Sequence, residues 1–154
     1  MLPKCNTIHI NCDGSVNGHK AGCGAVVREY YENDVSVDEM MPKRMEDETS
    51  STVAELHAIH EGLKVVVNKM KDMFVFVDSQ SALLTLNSKT PTSCEVVALC
   101  KGLVCRLQEK GIIIKFFWVP SHTGISLNEV ADNLAKEATR KPYIDIGNSV
   151  IQIE

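Results

Sequence analysis

What the chain lacks narrows its class. No apolar run approaches the roughly 20 residues a helix needs to span a bilayer, so no membrane role is expected. The opening stretch MLPKCNTIHIN has no basic segment leading into a long apolar one, the pattern of a secretory signal. An intracellular protein is therefore expected, with nothing that selects cytoplasm or nucleus. None of the six cysteines (Cys5, Cys12, Cys23, Cys94, Cys100 and Cys105) belongs to a C-x-x-C pair, and no Cys/His spacing matches a zinc site. Several stand in apolar runs, such as Cys12 in IHINCD and Cys100 in VVALCKGLVC, which favours buried, reduced thiols over a disulfide framework. Basic charge is also short. A formal net charge of -4 argues against a protein that holds nucleic acid by bulk positive charge. It leaves a metal-dependent nuclease open, because clustered carboxylates make such a site negative until divalent cations fill it. Internal repeats, low-complexity tracts and a convincing linker are absent as well.

What is present suits one ordinary core: 154 residues, 44% hydrophobic and 23% charged. Thr7 to Asn11 alternates apolar and polar residues and predicts a strand ending near Asp13, followed by a turn in DGSVNG. CGAVVREYY and VSVDEMMP predict two more strands, completing an antiparallel meander. Leu56, Ile59, Leu63, Val66 and Met70 recur at helical spacing and paint one apolar stripe. MFVFV at Met73 to Val77 predicts a strand buried on both faces. Ser79 is placed to cap a short helix in SQSALLTLN. A longer helix is expected from about Thr92 to Lys110, with Thr92 and Glu95 spaced as a capping box and Gly102 permitting close helix packing. GIIIKFFWV predicts another buried strand, with Trp118 in the core. Ser126 and Glu129 form a second capping box before a helix striped by Val130, Leu134 and Ala138. His57 and His60, three apart on one helix, read as surface residues for want of a third metal ligand nearby. The order β-β-β-α-β-α-α-β-α implies an α/β fold: a five-stranded mixed sheet, three strands in the meander and two parallel, with helices on both faces. Residues 1–141 are expected to form the domain and 142–154 a tail, either loose or an added strand.

Four carboxylates stand out by position. Asp13 closes the first strand and opens a Gly-containing turn, and Asp78 follows MFVFV just before a helix. Ligand sites in open α/β sheets gather at the carboxyl ends of strands, which makes both candidates for one shared site. Glu55 and Asp132 lie in the first turns of two helices. If those helix starts face the same sheet end, four acids converge. Such a cluster repels itself unless divalent cations intervene, and oxygen donors suit Mg²⁺. Two such ions about 4 Å apart can hold the attacking water and the leaving oxygen of a phosphodiester. Taken singly, each acid has a plainer reading: Asp13 as a turn residue, Glu55 as the partner of Thr52 in a capping box, Asp78 as a helix cap, and Asp132 as an acid favoured by a helix dipole. Only their joint order favours the metal site.

That order carries a resemblance. IHINCDGSVNG, AGCGAVV, TSSTVAELHAIHEGL, VFVDSQSALLTL and FFWVPSHTGISLNEVADNLAKEA together resemble the type 1 ribonuclease H family, including the domains attached to reverse transcriptases of retroelements. The resemblance implies a ribonuclease H-like fold and hydrolysis of the RNA strand of an RNA–DNA hybrid, leaving a 5′-phosphate and a 3′-hydroxyl. It implies two Mg²⁺ ions, with Mn²⁺ as a substitute. Asp13 would bridge both, Asp78 would share the ion at the attacking water, and Glu55 and Asp132 the ion at the leaving oxygen. His122, in PSHTGI, matches a loop histidine that assists proton transfer or product release, a task suited to a group titrating near neutral pH. Gly14, Ser15, Asn17 and Gly18 match the turn that meets the substrate, and Gln80 matches a further position near it.

The chain also departs from the family. Ser51 and Thr52 stand where many relatives carry asparagines, so the amide's paired donor and acceptor are lost there. Between Asn87 and Thr92, where some relatives insert a basic helix and loop, there is only SKTP with one lysine. The remaining basic residues, among them Lys101, Arg106, Lys110, Lys115, Lys136, Arg140 and Lys141, are scattered. Weak binding of hybrid by the isolated domain is expected, with a neighbouring polymerase domain as a partner that could supply grip and the isolated domain monomeric. The competing expectation is a catalytically inactive ribonuclease H-like module serving binding or structural roles in a reverse transcriptase, which the intact set of acids disfavours.

Overall fold

Alternation along Thr7–Asn17 builds the first strand, β1, and sends Ile8, Ile10, Cys12 and Gly14 to one face of the sheet and His9, Asn11 and Asp13 to the other. The computed structural model describes residues 6–33, 35–120 and 126–147. β2 (Lys20–Tyr30) returns antiparallel through a turn at Gly18, whose φ of 64° is the left-handed conformation glycine adopts freely. β3 (Ser36–Met45) completes the meander, and β4 (Asp72–Val77) and β5 (Ile114–Trp118) run parallel to β1. The sheet order is β3-β2-β1-β4-β5, so the three parallel strands end on the same side.

The helices are α1 (Ser51–Val66), α2 (Gln80–Asn87), α3 (Glu95–Glu109) and α4 (Ser126–Thr139). α1 starts where the Ser50 hydroxyl accepts from the Val53 amide, and buries Leu56, Ile59, Leu63 and Val66 against β1 and β2. Each such aliphatic side chain contributes about 1.5–3 kcal/mol when fully buried. α3 backs α1, joined by Val97 and Cys100 in the same core. α4 covers the opposite face, over β1, β2 and β3. It lies so close that a Cβ on Gly22 would stand 2.6 Å from the Ala135 carbonyl oxygen, and one on Gly24 2.5 Å from that of Ala131. Glycines on the strand and alanines on the helix thus set the contact distance. Among the described residues no helix is long and apolar enough to cross a membrane.

The structure corrects several expectations. β1 does not stop at Asp13: Asp13 to Val16 continue as strand, paired with β2 as far as Asn17↔Lys20. Ladder pairing overrides their turn preference. The parallel pairing with β4 does stop there, at Cys12↔Val77. β5 is an edge strand and is not buried: Lys115 and Trp118 are exposed, and Ile114, Phe116 and Phe117 are half-buried. α1 ends at Val66, which leaves Met70 outside the stripe and 68% exposed. α3 begins at Glu95 without a capping box. Cys94 is its cap residue with no side-chain bond, and the Thr92 hydroxyl instead accepts from the Cys94 amide at 3.0 Å. A Cβ on Gly102 would meet nothing within 4 Å, so this glycine permits no close contact. Cys12, Cys23 and Cys100 are buried free thiols as expected, whereas Cys94 is half-buried and Cys105 exposed; Cys5 lies outside the described residues. His57 and His60 are half-buried rather than on the surface. The Ser126–Glu129 capping box rests on a side chain outside the described set.

The described part of the tail docks on the outer edge of β3. The amides of Asp145 and Ile146 donate to the Arg44 carbonyl at 2.8 and 3.0 Å, and Ile146 forms a single parallel bridge with Met45. Arg44 fixes it further, donating to the Lys141 carbonyl at 2.5 Å. Residues 148–154 lie outside the described residues.

Candidate metal centre

The candidate acids gather at the carboxyl ends of the parallel strands. Asp13 is the first β1 residue beyond the last β4 partner, Asp78 is the first residue after β4, and Trp118 ends β5. Glu55 reaches the same place from the second turn of α1. Oxygens of Asp13, Glu55 and Asp78 all lie within 4.8 Å of one another. Asp13 and Glu55 are buried, at 7% and 6% exposure, while Asp78 is half-buried. Asp132, on α4, comes within hydrogen-bonding reach of Asp13, and its Oδ2 is held by the Lys136 ammonium one turn on, at 2.8 Å. The order read from the sequence therefore does bring four acids to one sheet end, three of them as a tight triad and Asp132 at its flank. Glu55 is not spent as a helix cap, since Ser50 fills that role.

Burial and mutual repulsion disturb these acids. Removal from water, then Asp13 and Asp78 as neighbours, hold the Glu55 carboxyl well above its ordinary 4.5. Burial again, with Asp78 and Asp132 nearby, pushes Asp13 above its ordinary 3.8. The Gly14 amide donates to Asp13 Oδ1 at 2.9 Å and also faces the Glu55 carboxyl. One N–H cannot compensate two buried charges, and Glu55 Oε2 is buried with no partner among the described residues. An under-compensated cluster of carboxylate oxygens of this kind fits hard divalent cations.

The other sequence-marked residues surround this cluster. Gly14 and Ser15 are half-buried on β1, while Asn17 and Gly18 are exposed at its turn. Ser51 and Thr52 open α1 and Gln80 opens α2; these two starts are joined by a 3.0 Å contact between the Thr52 and Ser81 hydroxyls. His122 lies outside the described residues. Trp118, expected in the core, is instead 48% exposed, and its indole N–H donates to the Asp78 carbonyl at 3.1 Å. Register places it there, since Trp118 pairs with Val77, the residue before Asp78. Most basic side chains are already engaged: Lys101 with the Ser88 carbonyl, Lys110 with that of Val67, and Lys141 with Asp145.

Comparison with known proteins agrees with this fold. The family model for RNase H matches residues 6–140, and the chain belongs to the RNase H family. The N-terminal RNase H domain of a Mycobacterium tuberculosis protein superposes with a TM-score of 0.68 at 21% identity, covering 86% of this chain and 98% of that one. LC11-RNase H1, solved in complex with RNA/DNA hybrid, gives 0.65 at 20% identity, covering 86% and 96%. The prototype foamy virus protease-reverse transcriptase gives 0.60 at 19% identity, covering 88% of this chain but 21% of that one. No curated protein sequence matches the chain.

Proposed function

We propose that this chain is a metal-dependent endonuclease that hydrolyses the RNA strand of RNA–DNA hybrids, leaving 5′-phosphate and 3′-hydroxyl ends. The observation that carries this reading is the close triad of buried Asp13, buried Glu55 and half-buried Asp78, too crowded to ionise fully without added positive charge. Two Mg²⁺ ions, for which Mn²⁺ can substitute, are the proposed compensation. Asp13, Glu55, Asp78 and Asp132 would hold them, and when bound they would stabilise the attacking water and the leaving oxygen of a phosphodiester. Ser51, Thr52 and Gln80 stand at two adjacent helix starts, and Gly14, Ser15, Asn17 and Gly18 on the neighbouring strand and turn. We assign them to the hybrid's minor groove, where short hydroxyls and backbone groups can meet 2′-hydroxyls. His122 is assigned to proton transfer or product release. The likeness to a reverse transcriptase supports a polymerase domain as partner.

The test is incubation of the protein with labelled RNA–DNA hybrid, RNA duplex and DNA duplex in Mg²⁺ or EDTA. Cleavage of RNA in the hybrid alone, abolished by EDTA and by Asp13→Asn, is expected. Absence of cleavage at protein excess would overturn the reading in favour of an inactive module.

A further inference from the structure

Two amides lie between β1 and α4, one step below the acids. Asn11 is 2% exposed, and its Nδ2 donates to Oδ1 of Asn128 on α4. The other halves of both amides, Asn11 Oδ1 and Asn128 Nδ2, are buried with no partner among the described residues. Each side chain thus depends on the other for its hydrogen bond, and removing either leaves its partner buried and unpaired.

The placement of this pair follows from register. Asn11 and Asp13 are two apart on β1, on the same face and about 6.6 Å apart along the strand. Asn128 and Asp132 are four apart on α4, on the same side and about 6 Å apart along the helix axis. The repeats match, and α4 runs in the direction of β1: the β2 partner of Asp13, Gly24, faces Ala131, while Gly22, the partner of Ser15, faces Ala135 and Ala138. Asn11–Asn128 and Asp13–Asp132 are therefore successive rungs between one strand and one helix. The upper rung joins two acids, which repel when ionised. The lower rung joins two neutral amides, which attract.

We propose that Asn11 and Asn128 are positioning residues: their amide pair holds the start of α4 on β1 against the repulsion of the Asp13–Asp132 rung, and so keeps Asp132 in place for a divalent cation. The inference rests on the metal-site reading above. Neither residue touches the reacting atoms. Without the pair, the start of α4 lifts in the metal-free protein and must be ordered again when a cation binds, which weakens binding.

The experiment is calorimetric titration of the purified protein with Mn²⁺, comparing the native chain with Asn11→Val, Asn128→Ala, the double variant and Asp13→Asn. Amide hydrogen exchange of residues 127–133 is measured without metal on the same samples. Each single variant is expected to bind Mn²⁺ roughly tenfold more weakly, the scale for a group that orients a ligand from outside the ligand set. The double variant should be no worse than the weaker single one, because both remove one interaction. Exchange at 127–133 should quicken while that of α1 stays unchanged. Hybrid cleavage by the single variants should recover at saturating Mn²⁺, whereas that of Asp13→Asn should not. If the native chain binds Mn²⁺ and the asparagine variants bind it equally well, or if the two losses add, the lock is refuted while the metal site stands. If the native chain binds no Mn²⁺, both readings fall together.

Discussion

Gly14 and Glu55 meet backbone to backbone: a Cβ on Gly14 would stand 2.7 Å from the Glu55 amide nitrogen and 2.9 Å from the Ala54 side chain. The glycine after Asp13 is therefore a spacing device, letting the start of α1 close onto β1 so that Glu55 reaches Asp13. Gly14→Ala is expected to push α1 away, costing about 1–3 kcal/mol of stability. A shift of about 1 Å at a reacting centre can cost about 100-fold in rate. Steady-state hybrid cleavage at saturating Mg²⁺ should fall by that order, beyond what the fraction unfolded explains. Wild-type rates in Gly14→Ala would show that α1 tolerates the displacement.

The raised carboxyls fix how the metal-free protein responds to pH. Asp13 and Glu55 ordinarily titrate near 3.8 and 4.5, and in the fold both hold their protons to higher pH, Asp13 to about 7. Between those limits the folded chain binds more protons than the unfolded one, so each rise in pH draws stability from the fold. This contribution is complete below the ordinary carboxylate values and is lost as pH climbs towards and through the raised ones. In EDTA, thermal melts should show these two groups lowering the transition temperature from pH 5 to pH 8, and Asp13→Asn should flatten the decline. Mg²⁺ should restore more stability at pH 8 than at pH 5, because cations bind the ionised acids. A metal-free decline that is identical in native protein and Asp13→Asn would contradict the assignment.

Gly24 offers a second spacing test on the other face. A Cβ there would stand 2.5 Å from the Ala131 carbonyl oxygen, one residue before Asp132. Gly24→Ala should destabilise by about 1–3 kcal/mol, read as a lower urea midpoint with unchanged slope. Cleavage should fall as well, since the displaced helix carries Asp132. Gly102→Ala, where a Cβ meets nothing, should stabilise the helix by about 1 kcal/mol and leave cleavage alone.

Much of this site was legible in the sequence for a local reason. MFVFV could be placed as a central strand from its apolar run, so Asp78 fell at a strand end without any knowledge of its neighbours. α1 was readable from Leu56, Ile59 and Leu63, which placed Glu55 near its start. The errors came where a partner decides. Asp13 to Val16 have turn-like composition but extend because β2 pairs with them. Trp118 and its neighbours look like core but lie at the sheet edge, where no next strand among the described residues covers them. The Asn11–Asn128 bond spans 117 positions, and no spacing rule could join two such ordinary residues.

The absence of a basic insertion between Asn87 and Thr92 bears on substrate grip. The net charge is -4, and Lys101 there reaches back to the Ser88 carbonyl at 2.6 Å. Equilibrium binding of Asp13→Asn to labelled hybrid is expected to be weaker than nanomolar at physiological salt, with a shallow dependence on salt because few phosphates are neutralised. A nanomolar Kd with a steep salt slope would point to a basic surface that this account lacks.

The central claim is that acids from β1, α1, the end of β4 and α4 share one cation site. Anomalous diffraction from crystals soaked in Mn²⁺ tests it most directly. Mn²⁺ peaks in contact with Asp13, Glu55 and Asp78, with Asp132 drawn towards them from Lys136, are the expected result. A clean map at that sheet end, or manganese bound only elsewhere, would contradict it.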